Sequence, residues 1–185
     1  MLVILDRDGV INRYEGEYIC SPDDWDPLPG SIEAIARLCG AGHRIAVATN
    51  QSGIARGLYN DATLAAMHDR LCKLVNEAGG RIDAIQYCPH HPDDGCDCRK
   101  PATGLLRAIQ LELGLDSLSN AIMVGDSDKD LEAGFRAGCG TLGLVRTGNG
   151  LNTERHLSAS QSPYDDRLIV ADNLSALVDR ILKRP

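Results

Sequence analysis

An α/β fold, a doubly wound parallel sheet flanked by helices, is predicted from three observations. Short apolar runs rich in β-branched residues alternate with segments whose apolar residues recur every three to four positions. That alternation marks strand-helix-strand units, whose right-handed crossovers cover a parallel sheet on both faces. Polar, glycine-containing stretches at 6–12, 49–57 and 125–130 each follow an apolar run, and ligands of such sheets bind outside the carboxyl ends of the strands. Finally, 185 residues with 43% hydrophobic content suffice for one packed core. A single Rossmann-like domain over 1–185 is expected.

The first predicted strand is Leu2-Val3-Ile4-Leu5, too short for a helix and apolar enough to be buried on both faces. It ends in Asp6 and Asp8, whose side chains share a face in extended backbone unless the turn at Gly9 re-aims the second. Residues 13–29 hold Tyr, Trp, Pro and Asp without a period and read as a loop or flap over the strand end. Pro29-Gly30-Ser31 starts a predicted helix with Ile32, Ile35, Ala36 and Leu38 on one face, ended by Gly40 and Gly42. A strand over 44–48 follows, with Thr49-Asn50-Gln51-Ser52-Gly53 as the loop at its carboxyl end. A helix around 60–78 turns Leu64, Met67, Leu71, Leu74 and Val75 inward, and a strand runs from Ile82 to Tyr87. After an insertion at 88–98, a helix at 101–114 leads to a strand over 121–124, which empties into Gly125-Asp126-Ser127-Asp128-Lys129-Asp130. A helix over 128–137, a strand at 141–145, a polar loop through about 147–166, a strand at 168–171 and a helix at 173–183 complete the prediction.

The formal net charge of −7 argues against binding along a nucleic-acid backbone, while leaving room for a local basic pocket around one small phosphorylated molecule. No apolar run reaches membrane-spanning length, and the first residues carry neither a cationic segment nor an apolar signal core. A cytoplasmic monomer without membrane or nucleic-acid partners is expected. Seven cysteines, an odd number, argue against a disulfide framework. Cys39, Cys72 and Cys139 lie among apolar residues and read as small core side chains. Cys88, Cys96 and Cys98 instead crowd into an Asp- and Pro-rich insertion with His90, and three thiolates with one imidazole suit a closed tetrahedral structural Zn²⁺. Such a loop has little apolar area to bury, so a metal supplies its order. His91 competes with His90 as the fourth ligand.

Two carboxylates at the end of a buried strand repel each other and lose hydration, so Asp6 and Asp8 require a compensating cation. Mg²⁺ prefers hard oxygen ligands and keeps positions open for phosphate oxygens. One carboxylate can then act as nucleophile, forming an aspartyl-phosphate, while its neighbour handles the proton. The stretch at 125–130 also has the look of a calcium loop, but the glycine and glutamate spacing of an EF-hand is absent.

Together, DRDGVIN at 6–12, TNQSGIARG at 49–57, CRKP at 98–101 and GDSDKD at 125–130 resemble the haloacid dehalogenase-like phosphohydrolases, in an order that covers about two thirds of the chain. CPHHPDDGCDC at 88–98 is similar to the insertion of their zinc-containing branch, whose members include phosphatases of heptose 1,7-bisphosphate and of histidinol phosphate. The resemblance implies a fold without a large cap domain, braced by a zinc-stabilised loop insertion. It makes Asp6 the nucleophile and Asp8 the general acid and base. Mg²⁺ would be held by Asp6, Asp8 through its backbone carbonyl, and Asp126. Thr49 and Lys100 would stabilise the phosphoryl group, and Asn50, Gln51, Ser52, Arg99 and Lys100 would meet the substrate. Asp130 matches a second acidic position, as ligand or outer neighbour, and Ser127 stands where some relatives carry a basic residue. The zinc set becomes Cys88, His90, Cys96 and Cys98. The implied reaction is hydrolysis of the C7 phosphate of D-glycero-D-manno-heptose 1,7-bisphosphate, a precursor of lipopolysaccharide heptose, with histidinol phosphate as the alternative substrate. A polynucleotide end-phosphatase fits less well because it calls for a basic surface. A noncatalytic zinc module would not be expected to retain every reacting group.

Overall fold

The computed structural model describes residues 1–159, 164 and 166–183. Six parallel strands, β1 (Leu2–Leu5), β2 (Arg44–Asn50), β3 (Ala84–Cys88), β4 (Ala121–Gly125), β5 (Thr141–Val145) and β6 (Leu168–Ala171), form one sheet in the order β3-β2-β1-β4-β5-β6. The chain steps outward from β1 to β3, then crosses back to lay β4 on the other side of β1. At that reversal the loops leaving neighbouring strands part and open a crevice. In register, Leu5 pairs with both Val47 and Val124. Asp6, Thr49 and Asp126 therefore emerge within one residue of the same level on one edge of the sheet.

Side chains alternate along a strand, and both faces here are apolar. Val3 and Leu5 join one core with Ile45, Val47 and Val124, covered by α1 (Ser31–Gly40), α2 (Asp61–Glu77) and α6 (Leu174–Leu182). Leu2 and Ile4 join the other with Ala46, Ala48 and Met123, under α3 (Gly104–Glu112) and α4 (Asp128–Ala137). Burial on both faces is why these strands read as continuous apolar runs. No cap domain stands over the strand ends among the described residues. The stretch 13–29 rims the site as irregular chain, pinned by the fully buried Trp25 and by the Arg70 guanidinium, which donates to the Pro22 carbonyl at 2.8 Å. No helix among the described residues is long and apolar enough to cross a membrane.

The predicted elements recur with some differences. β2 extends through Thr49 and Asn50, and β3 starts at Ala84 and includes Cys88. In α1 it is Ala34, not Ala36, that is buried with Ile32, Ile35 and Leu38. α3 begins at Gly104, later than expected, because residues 99–102 form a turn closed by the Ala102 N–H to the Arg99 carbonyl at 2.8 Å. The largest departure lies in the polar loop expected through about 147–166. A helix, α5 (Gly150–Ala159), occupies much of it, and residues 160–163 and 165 lie outside the described set. α5 buries only Gly150 and Thr153, so no apolar stripe announces it. A tertiary contact holds it instead, the Thr153 hydroxyl donating to the Asp126 carbonyl at 2.8 Å.

The inner face of α2 also carries His68, 9% exposed, its ring 6.0 Å from that of Tyr87. Burial, helped by the nearby Arg7 cation, lowers its pKa from 6.5 to about 4. Between those values the unfolded chain binds a proton that the folded chain excludes. His68 thus leaves stability intact above pH 6.5 and erodes it as pH falls toward 4, by about 3 kcal/mol over the full shift. Denaturant unfolding from pH 7 to pH 4.5 is expected to show this slope in the native chain and a flatter one in His68→Gln. Equal slopes would remove His68 as the cause.

Candidate active site

Asp6 follows β1, Asp126 follows β4, and Asp130 stands in the first turn of α4. One oxygen from each lies within 4.8 Å of the others, and all three residues are buried. Asp130 is set by its own helix, since the Ser127 N–H and hydroxyl donate to its Oδ2 at 3.1 and 2.6 Å, as in a capping box. The cation among these acids is Lys100, only 2% exposed. Its Nζ lies 2.8 Å from Asp6 Oδ1, pairs with Asp130 Oδ1 and donates to the Ala48 carbonyl at 2.7 Å. Asn50 clamps the Lys100 backbone, its amide donating to the carbonyl at 3.1 Å and its oxygen accepting from the N–H at 3.0 Å.

One lysine cannot neutralise three buried carboxylates. Burial pushes Asp6 up to about 8, against the pull of Lys100. Burial and the Asp130 charge push Asp126 up to about 7, opposed by the backbone N–H of Asn149. For Lys100, burial alone would depress the ammonium, yet Asp130 and Asp6 outweigh it and hold its pKa above the usual lysine value. The cluster is short of positive charge, and a divalent cation with oxygen ligands supplies it.

Asp8 faces a different cation. Arg7, 1% exposed, donates to it through Nε at 3.0 Å and Nη2 at 3.1 Å, and Asn12 and Gln51 add bonds of 2.9 and 2.8 Å. Such a bidentate pair fixes the plane of the carboxylate. Gly9 makes the turn possible, because its φ is +85° and a Cβ there would fall 2.2 Å from Asp126 Oδ2. The two aspartates that a straight strand would leave side by side are thus split between two cations.

These groups line a cavity of about 860 Å³ together with Thr49, Ser52 and Arg99, a size suited to a small-molecule ligand. Arg99 Nη1 is itself buried, without a protein partner. The stretch 13–29 contributes Tyr14 and Tyr18, and the segment leading into α5 and the helix itself contribute Asn149, Asn152 and His156. A family model described as HAD-hydrolase-like matches residues 97–177, and one described as polynucleotide kinase 3 phosphatase matches residues 3–136. The D-glycero-beta-D-manno-heptose-1,7-bisphosphate 7-phosphatase of Pseudomonas aeruginosa is 52% identical over 182 residues, 98% of each chain. Its counterpart from Bordetella bronchiseptica is 47% identical over the same length and share. The crystal structure of the D,D-heptose 1,7-bisphosphate phosphatase from B. bronchiseptica, complexed with magnesium and phosphate, matches with a TM-score of 0.90 at 46% identity over 98% of both chains. The chain belongs to the HAD-like phosphohydrolases.

Every residue that the sequence pointed to for magnesium or substrate in this HAD-like phosphohydrolase lines this cavity. Most of them are also engaged by the protein itself: Asn50 holds Lys100, Gln51 holds Asp8 and Thr49, and the Ser52 hydroxyl lies 3.2 Å from that of Tyr18. The carboxylate cluster of Asp6, Asp126 and Asp130 fits Mg²⁺, the ion bound in the B. bronchiseptica structure. Asp130, whose role the sequence left open, is tied to Lys100 and Ser127. Tyr59, Lys129, Asn149, Asn152 and His156 line the cavity without having been anticipated. For Asn149 a signal existed, since Thr147-Gly148-Asn149-Gly150 is another polar, glycine-bearing stretch after a strand, with Asn152 and His156 just beyond it, and Lys129 lies in the polar stretch at 125–130. For Tyr59 there was none.

A second metal-ligand group lies in the insertion. The Cys98 thiol is 3.2 Å from that of Cys88 and 3.4 Å from that of Cys96, Cys88 and Cys96 are 3.6 Å apart, and His90 Nδ1 lies 3.2 Å from Cys98 and 3.5 Å from Cys88. A tetrahedron with metal bonds of about 2.0–2.3 Å has edges of about 3.3–3.8 Å, so this Cys₃His set surrounds a point at zinc distance. His91 is engaged elsewhere, accepting from the Asp93 N–H at 3.4 Å at the start of the short 3₁₀ turn Pro92–Asp94. Cys88 ends β3, and Cys98 lies two residues before Lys100, so the metal would hold the chain that delivers the lysine. Cys96→Ser is expected to lose bound zinc by atomic emission and to turn over more slowly, while far-UV circular dichroism stays unchanged. Full zinc occupancy in that variant would refute the ligand set.

Proposed function

We propose that this chain hydrolyses the C7 phosphate of D-glycero-beta-D-manno-heptose 1,7-bisphosphate through an aspartyl-phosphate on Asp6, supplying a precursor of lipopolysaccharide heptose. The reading is carried by the convergence of a nucleophile, a separately held proton carrier and a buried lysine on one cavity. The names of relatives that match it over nearly their whole length support the substrate and its anomer.

In this reading an oxygen of Asp6 attacks phosphorus in line, forming the phosphorus–oxygen bond as the bond to the C7 oxygen breaks. Asp8 gives its proton to the departing oxygen. As a carboxylate it then takes a proton from the water that hydrolyses the acyl phosphate, regenerating Asp6. Lys100, locked by Asp130, keeps Asp6 in place and meets the phosphoryl oxygens with positive charge. The Thr49 oxygen accepts from Gln51 at 2.8 Å, which leaves its own hydrogen to donate to a phosphoryl oxygen. Mg²⁺, held by Asp6, Asp126 and the Asp8 backbone carbonyl, supplies neutralisation between carboxylate and phosphate. Arg99 offers its guanidinium charge to the substrate, beside Asn50 and Ser52.

We place the reaction in the cytoplasm, in a single-domain monomer acting on a small soluble sugar. A net charge of −7 and an acid-rich cavity support that substrate over a polynucleotide. The polynucleotide phosphatase family model spans the stretch from β1 to α4, where the phosphoryl-transfer residues lie. Asp6→Asn is expected to reduce Mg²⁺-dependent phosphate release at least about 10³-fold, with zinc content and circular dichroism unchanged. Retained activity would remove Asp6 as nucleophile. On a substrate panel, kcat/KM for the heptose bisphosphate is expected to exceed that for histidinol phosphate by at least about tenfold. The reverse order would overturn the substrate assignment.

A further inference from the structure

Gln51 is 2% exposed and its amide is fully engaged. Its Oε1 accepts from the Tyr59 hydroxyl at 2.6 Å and from Arg7 Nη2 at 3.1 Å, and its Nε2 donates to Asp8 Oδ2 and to Thr49 Oγ1, each at 2.8 Å. An amide has two acceptor sites and two donor hydrogens, so all four are filled. The orientation follows from chemistry. Arg7 can only donate, and a flipped amide would set its NH₂ against the guanidinium and its oxygen against the carboxylate.

On the reading of Asp8 as proton carrier and Thr49 as phosphate holder, we propose that Tyr59, acting through Gln51, is a positioning residue for phosphoryl transfer. Its hydroxyl makes the shortest of the four bonds to the amide and thereby fixes Gln51 between the two reacting groups. Without that bond, Gln51 can tilt, Asp8 loses one of its donors, and the Thr49 hydroxyl is free to rotate away from the phosphoryl oxygen. Burial pushes the Tyr59 hydroxyl up to about 12, so it remains a donor at neutral pH.

The backbone makes room for this ring. A Cβ on Gly53 would fall 2.2 Å from a Tyr59 ring carbon and 2.8 Å from its hydroxyl oxygen. The loop that carries both residues is closed by the Leu58 N–H to the Gly53 carbonyl at 2.9 Å. Gly53, three residues after the end of β2, is thus the site that Tyr59 presses against, and the strand that holds Thr49 also places the residue that orients it.

The test measures turnover of heptose 1,7-bisphosphate and of p-nitrophenyl phosphate by Tyr59→Phe, which keeps the ring and removes one oxygen. The expected result is a kcat about tenfold lower on both substrates, with KM within about twofold and the unfolding midpoint unchanged. Gly53→Ala, which displaces the ring, should show the same split between kcat and KM. In a double-mutant cycle, adding Tyr59→Phe to Gln51→Ala should cause no further loss of kcat. A Tyr59→Phe kcat within twofold of the native value, or additive losses in the cycle, would overturn the proposal. Full turnover by Asp8→Asn would instead overturn the role of Asp8 and the proposal with it. Native enzyme that turns over only p-nitrophenyl phosphate would refute the sugar assignment alone, leaving the Tyr59 comparison decisive on that substrate.

Discussion

The ion pairs of Lys100 are the constraint on which the site depends. Taking an ammonium and several carboxylates out of water is costly, and their attraction offsets that cost only when geometry is close and the remaining polar atoms are satisfied. Both conditions hold. Lys100 contacts Asp6, Asp130 and the Ala48 carbonyl, while Asn50 ties down its backbone. The excess negative charge then gives the site an affinity for a divalent cation. The same cluster that would be a liability in a simple core becomes a site suited to a divalent cation.

Separation of charge does the rest of the organising. Asp6 and Asp8 are two residues apart, yet Asp6 belongs to Lys100 and Asp8 to Arg7. Because each carboxylate has its own cation, the two need not share one electrostatic environment, and one can serve as nucleophile while the other moves a proton. The turn at Gly9, packed against Asp126, produces that split. The Cys₃His group would contribute at a distance, since a metal bound there would hold the segment that ends in Lys100, where few apolar groups are available to hold it.

Much of the fold was legible in the sequence because the sheet is buried on both faces. β5, β6 and α4 lie where the apolar runs and their periodicity put them. The ends of β1, β2 and β4 carry the acids and hydroxyls of the site, and a parallel sheet must bring such ends to one edge. The Cys₃His group was legible for a different reason, since three thiols in eleven residues of a polar loop have few other uses. α5 was not legible because its register is set by Thr153 on Asp126 and not by an apolar stripe.

The sequence by itself therefore determined the alternation of elements and the order in which the carboxylates, hydroxyls, lysine and thiols of the candidate sites follow the strands. Tertiary structure alone decided the pairing of Asp8 with Arg7 and the direction of the Gln51 amide toward Asp8 and Thr49 with Tyr59 behind it. These are contacts between side chains brought together by the crossing of strands and loops. Periodicity records which face of an element is apolar, whereas hydrogen-bond geometry depends on distances that exist only once the sheet has formed.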